Sequence, residues 1–325
     1  MSESPVGAAT WPAYLALLES GELERRAQAA RERLRACDLC PRYCRIDRLR
    51  THRGAVCRTG ARARVHGAGP HHGEERPLRG WNGSGTIFFS WCNLRCLYCQ
   101  NWEISQRGEG RELDEEALAG LMLELQAQGC HNINLVSPSH VVAQVIGAVA
   151  IAARRGLRLP IVYNTGGYDS PEALALLDGI VDIYMPDMKY GDERQARRLS
   201  RVRDYVAVNR AAVREMHRQV GDLVIGADGL ARRGLLVRHL VLPGGAAGTE
   251  AVAAFLAREI SPDTYLNLMD QYRPCYRAWD APPLDRPPTE AEYAAALAAV
   301  RRAGLWRLDP ERAHRHWRLA PEAVP

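Results

Sequence analysis

The stretch TIFFSWCNLRCLYCQN, residues 86–101, carries the strongest indication of the fold in this sequence. It begins with a short run of β-branched and aromatic residues, which is typical of a buried β-strand. Three cysteines follow directly, Cys92, Cys96 and Cys99, in the spacing Cys-x3-Cys-x2-Cys. In a barrel of parallel strands, the loops that follow the strands build the active site. The stretch therefore predicts a strand that delivers three thiols to the mouth of a barrel.

From this stretch onward, apolar runs alternate regularly with helical patterns. The helices carry start signals: Asp114 precedes two acids, Ser170 precedes a proline, and a capping-box pattern begins at Thr289. Six β/α units predict an α/β fold, a partial (β/α)6 barrel of the TIM type, since a full barrel takes ~250 residues. An open doubly wound sheet is the alternative. The predicted strands are residues 86–91, 132–137, 160–164, 181–186, 235–242 and 264–269.

The organisation of the chain changes near residue 80. Residues 1–80 hold a predicted helix over 11–36, a Cys- and Arg-rich stretch, and a Gly-, His- and Pro-rich stretch that looks irregular. We expect a small Cys-rich N-terminal extension over 1–80, the barrel over 81–305 and a C-terminal tail over 306–325. A loop-rich segment with few large apolar residues needs a cross-link to stabilise it. Inside cells, a bound metal usually provides that cross-link.

Composition excludes several classes of protein. The 325 residues are 46% apolar and 25% charged, as in ordinary globular proteins, which excludes disorder of the whole chain. The longest apolar stretch, residues 141–153, is too short to span a bilayer, and the first residues do not resemble a secretory signal. We therefore expect a cytoplasmic protein with no membrane partner. Its nine cysteines would then be metal ligands, catalytic thiols or core residues rather than disulfides.

The basic residues are unusual, because Lys189 is the only lysine among the 43 Lys and Arg. Residues 42–64 carry eight arginines and a single acid, Asp47, which indicates a solvated basic surface. An acidic partner or nucleic acid is the alternative. The single interleaved aromatic, Tyr43, makes a poor stacking platform, so we do not expect a nucleic-acid partner.

The cysteine triad has a specific chemical meaning. Three thiolates this close can hold three corners of a [4Fe–4S] cube. No fourth cysteine follows in the loop, so the fourth iron would keep an open position, as catalytic metals do. A zinc knuckle or three core cysteines are the alternatives.

With the aromatic Tyr98 before its last cysteine, the triad resembles that of the radical S-adenosylmethionine (radical SAM) enzymes. The chain is similar, over about residues 35–303, to a subgroup related to pyruvate formate-lyase activating enzyme. The resemblance implies that the open iron binds SAM, and that a flavodoxin- or ferredoxin-type reductant drives its cleavage to a hydrogen-abstracting 5′-deoxyadenosyl radical. The segments that carry it are CDLCPRYC (37–44), GSGTIFFS (83–90), CLYCQN (96–101), VYNTGGY (162–168), DMKY (187–190), RHLVLP (238–243) and NLMDQYRP (267–274).

The resemblance also implies which residues surround SAM. Many relatives hold the SAM amino group with a Gly-Gly-Glu stretch after the second strand, where this chain has Ser137 and Ser139. Either serine would substitute by hydrogen bonding, and helix capping is the alternative for Ser139. Two glycines after the third strand let the backbone approach a ligand closely. The predicted SAM-binding residues are Tyr98, Ser137, Ser139, Asn164, Thr165, Asp187, Lys189, Arg238 and Asn267.

Lys189 stands out from this set on composition alone. Arginine has replaced lysine everywhere else, which solvated positions tolerate because either cation serves. A compact ammonium and a planar guanidinium are not interchangeable in a tight site. The retained lysine, two residues after Asp187, therefore indicates a site that requires lysine.

Six further cysteines lie outside the triad, four of them close together. Cys37, Cys40, Cys44 and Cys57 supply the number of thiols for a complete metal site, either a second [4Fe–4S] cluster or zinc, and no metal is the third alternative. Cys130 is predicted to be a core residue. Cys275 is predicted to be an ordinary loop thiol, with a substrate contact as the alternative.

We expect a radical SAM enzyme that abstracts hydrogen from a protein or peptide, as activating enzymes do. A small molecule or modified nucleotide is the alternative substrate. A non-catalytic metal-binding or electron-transfer protein is less consistent with the triad, because an electron carrier has no need of an incompletely ligated cluster.

Overall fold

The computed structural model of the protein describes residues 11–310. Among these residues, no helix combines the length and apolar character needed to cross a bilayer. The strands are β1 (Ala63–His71), β2 (Ser84–Phe89), β3 (Arg111–Leu113), β4 (Ile133–Val136), β5 (Ile161–Thr165), β6 (Ile183–Pro186), β7 (Val224–Ile225), β8 (Ala231–Leu240) and β9 (Tyr265–Met269). The α-helices are α1 (Tyr14–Glu19), α2 (Glu22–Glu32), α3 (Arg76–Arg79), α4 (Glu115–Ala127), α5 (Val142–Arg154), α6 (Pro171–Leu177), α7 (Glu193–Ser200), α8 (Tyr205–Val220), α9 (Thr249–Phe255) and α10 (Glu290–Arg302).

Six strands are parallel neighbours in the order β2-β4-β5-β6-β8-β9, and each corresponds to a predicted strand. Within residues 11–310, no strand pairing joins β9 back to β2, so the barrel is partial. The fold is therefore α/β with a mostly parallel sheet, as predicted. Such a sheet places the carboxyl ends of all six strands at one edge.

The parallel strands are apolar on both faces because both faces are covered. Outward-facing residues such as Leu135 and Tyr163 pack in the main core with helix α5, which is buried over almost its whole length. Inward-facing residues such as Val162, Ile183 and Leu236 form a second apolar cluster inside the barrel. The site at the strand ends therefore rests on a packed floor.

The helix starts predicted from the sequence are confirmed. The Asp114 side chain accepts a backbone N–H at 3.0 Å, and Ser170 accepts one at 3.3 Å. Thr289 and Glu292 form the complete capping box. These caps satisfy N–H groups that the first turn of a helix leaves without partners.

The Gly-, His- and Pro-rich stretch is not irregular, contrary to the prediction. Residues 63–71 form strand β1, which pairs antiparallel with β2, while β3 covers only residues 63–65 of its other edge. Pro70 therefore lies where the second edge is unpaired, and the ladder loses nothing from its missing N–H. Composition hid this strand because Gly and Pro are depleted in strands on average.

The predicted helix over residues 11–36 is broken at Gly21, whose φ of 71° ends α1 and starts α2. Both helices pack on the main core through residues such as Tyr14 and Leu23. The sheet also runs across the predicted division at residue 80, because β1 pairs with β2. The three-part division stays a prediction, and most of the predicted tail lies outside the described residues.

Candidate active site

The loop after β2 brings its three cysteines to one cavity of about 220 Å³ at the carboxyl ends of the parallel strands. Trp91 turns the chain with a left-handed φ of 66°, and its N–H donates to the carbonyl of Ile104 at 3.0 Å. The loop thereby returns over the barrel mouth. Cys92, Cys96 and Cys99 all line the cavity, as the sequence predicted for a functional loop.

Each thiol has a polar partner in the protein. The backbone N–H two residues after Cys92 donates to its Sγ at 3.3 Å. The Cys96 Sγ lies 2.9 Å from the Ser200 hydroxyl, and the Cys99 Sγ lies 3.1 Å from the Ser105 hydroxyl. Hydrogen bonds to sulfur are one of the ways a protein tunes a bound cluster.

Burial controls the protonation of these thiols. It raises the pKa of Cys92 to about 12, and the charges of Cys96 and Cys99 act in the same direction against Lys189. Burial also raises the pKa of Cys96, again opposed by Lys189. Metals bind the thiolate form, so iron binding at this loop releases protons.

Three charged residues meet at the ends of β6 and β8. The Lys189 Nζ donates to one oxygen of Asp187 at 2.6 Å, and the Arg238 Nε donates to the other at 3.2 Å. Burial would raise the pKa of Asp187, but the charges of Lys189 and Arg238 outweigh it and lower that pKa. Burial would lower the pKa of Lys189, but the Asp187 charge raises it. All three side chains line the cavity in their charged forms.

The end of β5 contributes the next wall. Asn164 and Thr165 line the cavity, as does Ser137 after β4. A Cβ at Gly166 would lie 2.8 Å from the end of the Leu94 side chain in the cysteine loop, so that side chain would have to shift. The glycine thus allows close packing against the cysteine loop.

Two predicted residues do not reach the cavity. The buried Ser139 hydroxyl lies 2.8 Å from the Thr165 hydroxyl, so it neither lines the cavity nor caps a helix. Asn267 donates its side-chain N–H to Glu75 at 2.8 Å below the mouth. Neither residue lines the cavity, and their direct contact with SAM stays a prediction.

Tyr98 borders the cavity, but its hydroxyl points away from it. The hydroxyl lies 2.8 Å from that of Tyr190, which in turn lies 2.6 Å from the Ser200 hydroxyl. Ser200 also contacts the Cys96 Sγ. Tyr98 therefore connects the cysteine loop to a buried hydroxyl network.

Comparison with known proteins identifies the domain that holds this cavity. Residues 86–230 match the model of the radical SAM superfamily. This part of the chain is a radical SAM domain. The match spans the cysteine loop and the ends of β4, β5 and β6.

An uncharacterised protein of Methanocaldococcus jannaschii is 27% identical to the chain over 292 residues, covering 87% of this chain and 79% of the relative. A radical SAM methyltransferase from Sphaerobacter thermophilus is similar in structure, with a TM-score of 0.48, 17% identity, and coverage of 68% of this chain and 64% of that one. HydG, a maturase of the [FeFe]-hydrogenase, is similar with a TM-score of 0.45, 12% identity, and coverage of 66% and 47%. The chain thus spans less than two thirds of these two solved structures.

The residues at the mouth fit the cofactors of a radical SAM enzyme, a [4Fe–4S] cluster and SAM. Among residues 11–310, no three ligand side chains converge as they would around a single metal ion. A cluster differs because each iron takes its own thiolate, so the three sulfurs need only face one space. The shared cavity meets that condition, and its ionised Lys189 and Asp187 suit a zwitterionic amino acid.

Sequence reasoning missed two buried carboxylates, Glu74 and Glu75, which precede α3. Glu74 lies 3.7 Å from the Arg238 guanidinium and 3.1 Å from His71. The His71 hydrogen bond and the Arg238 charge outweigh burial and lower the pKa of Glu74, whereas burial raises the pKa of Glu75. The only available signal was a pair of acids in a stretch that looked like loop.

The N-terminal cysteines lie against the radical SAM domain. Cys37, Cys40 and Cys57 are buried, and Cys44 is half-buried. Cys130 is buried in the main core, as predicted, and Cys275 is half-buried.

Proposed function

We propose that this radical SAM enzyme abstracts a hydrogen atom from a protein or peptide. Cys92, Cys96 and Cys99 would hold the cluster, which would supply the electron for cleavage of SAM to methionine and a 5′-deoxyadenosyl radical. A flavodoxin- or ferredoxin-type protein is the proposed source of that electron. The similarity of seven sequence segments to activating enzymes supports this assignment.

The residues at the strand ends would hold SAM. Lys189 donates one N–H of its ammonium group to Asp187, and the other two N–H groups can donate to the SAM carboxylate. Asp187 holds both Lys189 and Arg238 in place. Ser137 and Asn164 offer hydrogen bonds to the remaining polar groups.

The cavity wall would protect the reaction. Phe88, Leu94, Leu240 and Met269 supply apolar surface beside the three cysteines. Such surface excludes water and leaves few hydrogen-bond partners that would misorient the substrate. The chain would thus bind and orient the substrate and exclude water, while the cofactors would supply the radical.

The observation that carries the substrate proposal is the rim of the cavity. Gln100, Asn101 and Gln271 are exposed there, and the Gln100 amide donates to the Gln271 carbonyl at 3.3 Å. Beside them, Trp102 stacks on Tyr276 with ring centroids 5.3 Å apart. Amide side chains can hydrogen-bond a peptide backbone, and aromatic rings such as the exposed Tyr276 supply contact area at little entropic cost. A small molecule would favour a more enclosed mouth.

A deuterium-transfer experiment tests this proposal. Extract from source cells grown in deuterated medium is separated into macromolecular and small-molecule fractions, and each is added to reduced enzyme with SAM. We expect deuterium in 5′-deoxyadenosine from the macromolecular fraction, lost after protease treatment. Transfer from the small-molecule fraction alone, or loss after ribonuclease treatment, would contradict the proposal in favour of a metabolite or a nucleotide.

A further inference from the structure

The N-terminal loop buries an arginine, Arg48, that is 2% exposed. Its guanidinium donates to the carbonyls of Thr59 at 2.8 Å and Gly60 at 3.4 Å, and contacts the Cys37 Sγ at 3.4 Å. Arginine keeps its charge in proteins, and a buried charge without a counter-charge is strongly unfavourable. The loop must therefore supply a negative charge close to Arg48.

Carboxylates do not supply it. In the same segment, Arg33 and Arg45 pair with Asp38, and Arg50 pairs with Asp47. Within residues 11–310, no carboxylate forms an ion pair with Arg48. The acids of the segment thus pair with Arg33, Arg45 and Arg50.

Thiols are the groups that remain. Cys37, Cys40 and Cys57 are 6%, 7% and 5% exposed, and the Cys37 Sγ lies 3.4 Å from the Arg48 guanidinium. Metal binds the thiolate form of cysteine, and a buried guanidinium beside a thiol stabilises that form.

This group of cysteines is attached directly to the SAM-site loop. The Arg42 Nε donates to the Asn93 carbonyl at 2.7 Å, next to Cys92. In the opposite direction, Arg95 donates to the Val56 carbonyl, next to Cys57. Arg95 also lies within electrostatic reach of both Cys92 and Cys57. The two sets of cysteines are therefore neighbours linked through arginine side chains.

We propose that Cys37, Cys40 and Cys57 bind a second iron–sulfur cluster, whose negative charge Arg48 neutralises. A cluster spreads its thiolates over several irons, so its ligands need not converge on one point. Among the described residues, no three ligand side chains do so. The half-buried Cys44 on the same loop is the fourth ligand predicted from the sequence. This inference does not depend on the substrate proposed above.

The experiment uses the full chain with the first cluster removed. In the variant Cys92→Ala/Cys96→Ala/Cys99→Ala, reconstituted anaerobically, we expect about four irons per chain, the content of one cubane cluster. Adding Cys57→Ala should abolish that iron and its absorption band. Adding Arg45→Met, an exposed arginine paired with Asp38, should leave both unchanged. Zinc in place of iron, or iron unaffected by Cys57→Ala, would overturn the proposal.

A second measurement tests the role of Arg48. A reduced cluster carries one more negative charge, so Arg48→Met should move its reduction potential to a more negative value, while Arg48→Lys should keep it near that of the wild type. A potential unchanged by Arg48→Met overturns the charge role. If Arg48→Met does not fold by circular dichroism, the role of Arg48 is decided by the Arg48→Lys potential, whose large shift from wild type would count against it.

Discussion

Two regions of the molecule bury cysteines beside cations, and they balance charge differently. At the barrel mouth, Lys189 and Arg238 are paired with Asp187 at 2.6 and 3.2 Å. In the N-terminal loop, no carboxylate of the described chain pairs with Arg48, which lies against Cys37. At the mouth, carboxylates neutralise the cations. In the loop, the Arg48 cation lies against thiols instead.

This difference indicates what each region can accept. At the mouth, the cations of the protein are already paired with carboxylates, so the protein would only partly balance the negative charge of a thiolate-bound cluster. A ligand with a positive centre is therefore favoured. The sulfonium of SAM is such a centre. In the loop, Arg48 would itself balance the negative charge of a metal centre bound by the thiols. This suits a metal centre whose ligands all come from the chain.

The largest effect is expected from Cys96→Ala, which should affect the barrel mouth and leave the N-terminal loop unchanged. It removes one of the three proposed cluster ligands at the mouth, so 5′-deoxyadenosine formation should fall to background. If the regions are independent, the variant keeps about four irons in the N-terminal loop. Iron analysis and the product assay on the same sample check this. Residual turnover near the wild-type rate would mean that Cys96 is not a ligand.

The variant Glu74→Gln removes one of the carboxylates that pair with Arg238. The charge environment of Arg238 should then become more like that of Arg48. Breaking a buried ion pair costs about 3 kcal/mol of unfolding free energy. The folded protein lowers the pKa of Glu74, so its contribution is complete above the ordinary value of about 4.5 and is lost as the pH falls through the lower folded value. Denaturation of wild type and variant at pH 7 and pH 3 measures both effects.

Glu75→Gln is the matched control for that variant. Burial raises the pKa of Glu75, so the folded state already favours its uncharged form, and a neutral amide should cost much less at pH 7. Equal losses for the two glutamates would show that the ion pair with Arg238 is not what distinguishes them.

Lys189→Arg tests whether the mouth requires a compact ammonium. The larger guanidinium cannot keep the 2.6 Å contact with Asp187 and the same approach to a ligand, so we expect SAM affinity to fall about tenfold, or about 1.4 kcal/mol. Equilibrium dialysis with SAM measures it, and iron content confirms that the cluster is retained. Arg194→Lys, at an exposed surface pair, is the control. Wild-type affinity in Lys189→Arg would remove the special role of this lysine.

Tyr98→Phe should have the smallest effect. Its hydroxyl bonds Tyr190 rather than facing the cavity, so its removal should cost about 1 kcal/mol of stability and leave SAM affinity unchanged. Chemical denaturation and SAM titration separate the two. Weaker SAM binding at unchanged stability would place the Tyr98 hydroxyl in the binding site.

Local pattern was enough to predict the six parallel strands and the cysteine loop. Buried parallel strands are apolar throughout, and the residues that follow them must share one edge of the sheet. That rule alone assigns Cys92, Asn164, Asp187 and Arg238 to one edge, and all four line the same cavity. It failed for strand β1, because an edge position tolerates glycine and proline that pattern reasoning takes for loop.

The chemistry of the mouth could be predicted from the chain alone, because it shows three closely spaced cysteines and a single retained lysine. Tertiary structure alone decided which charges meet. Glu74 and Arg238 are 164 residues apart in the chain, and their ion pair exists only because the segment before α3 enters the barrel. The pairing of Arg48 with thiols rather than carboxylates was equally invisible, since burial and the choice of partner depend on how distant segments pack.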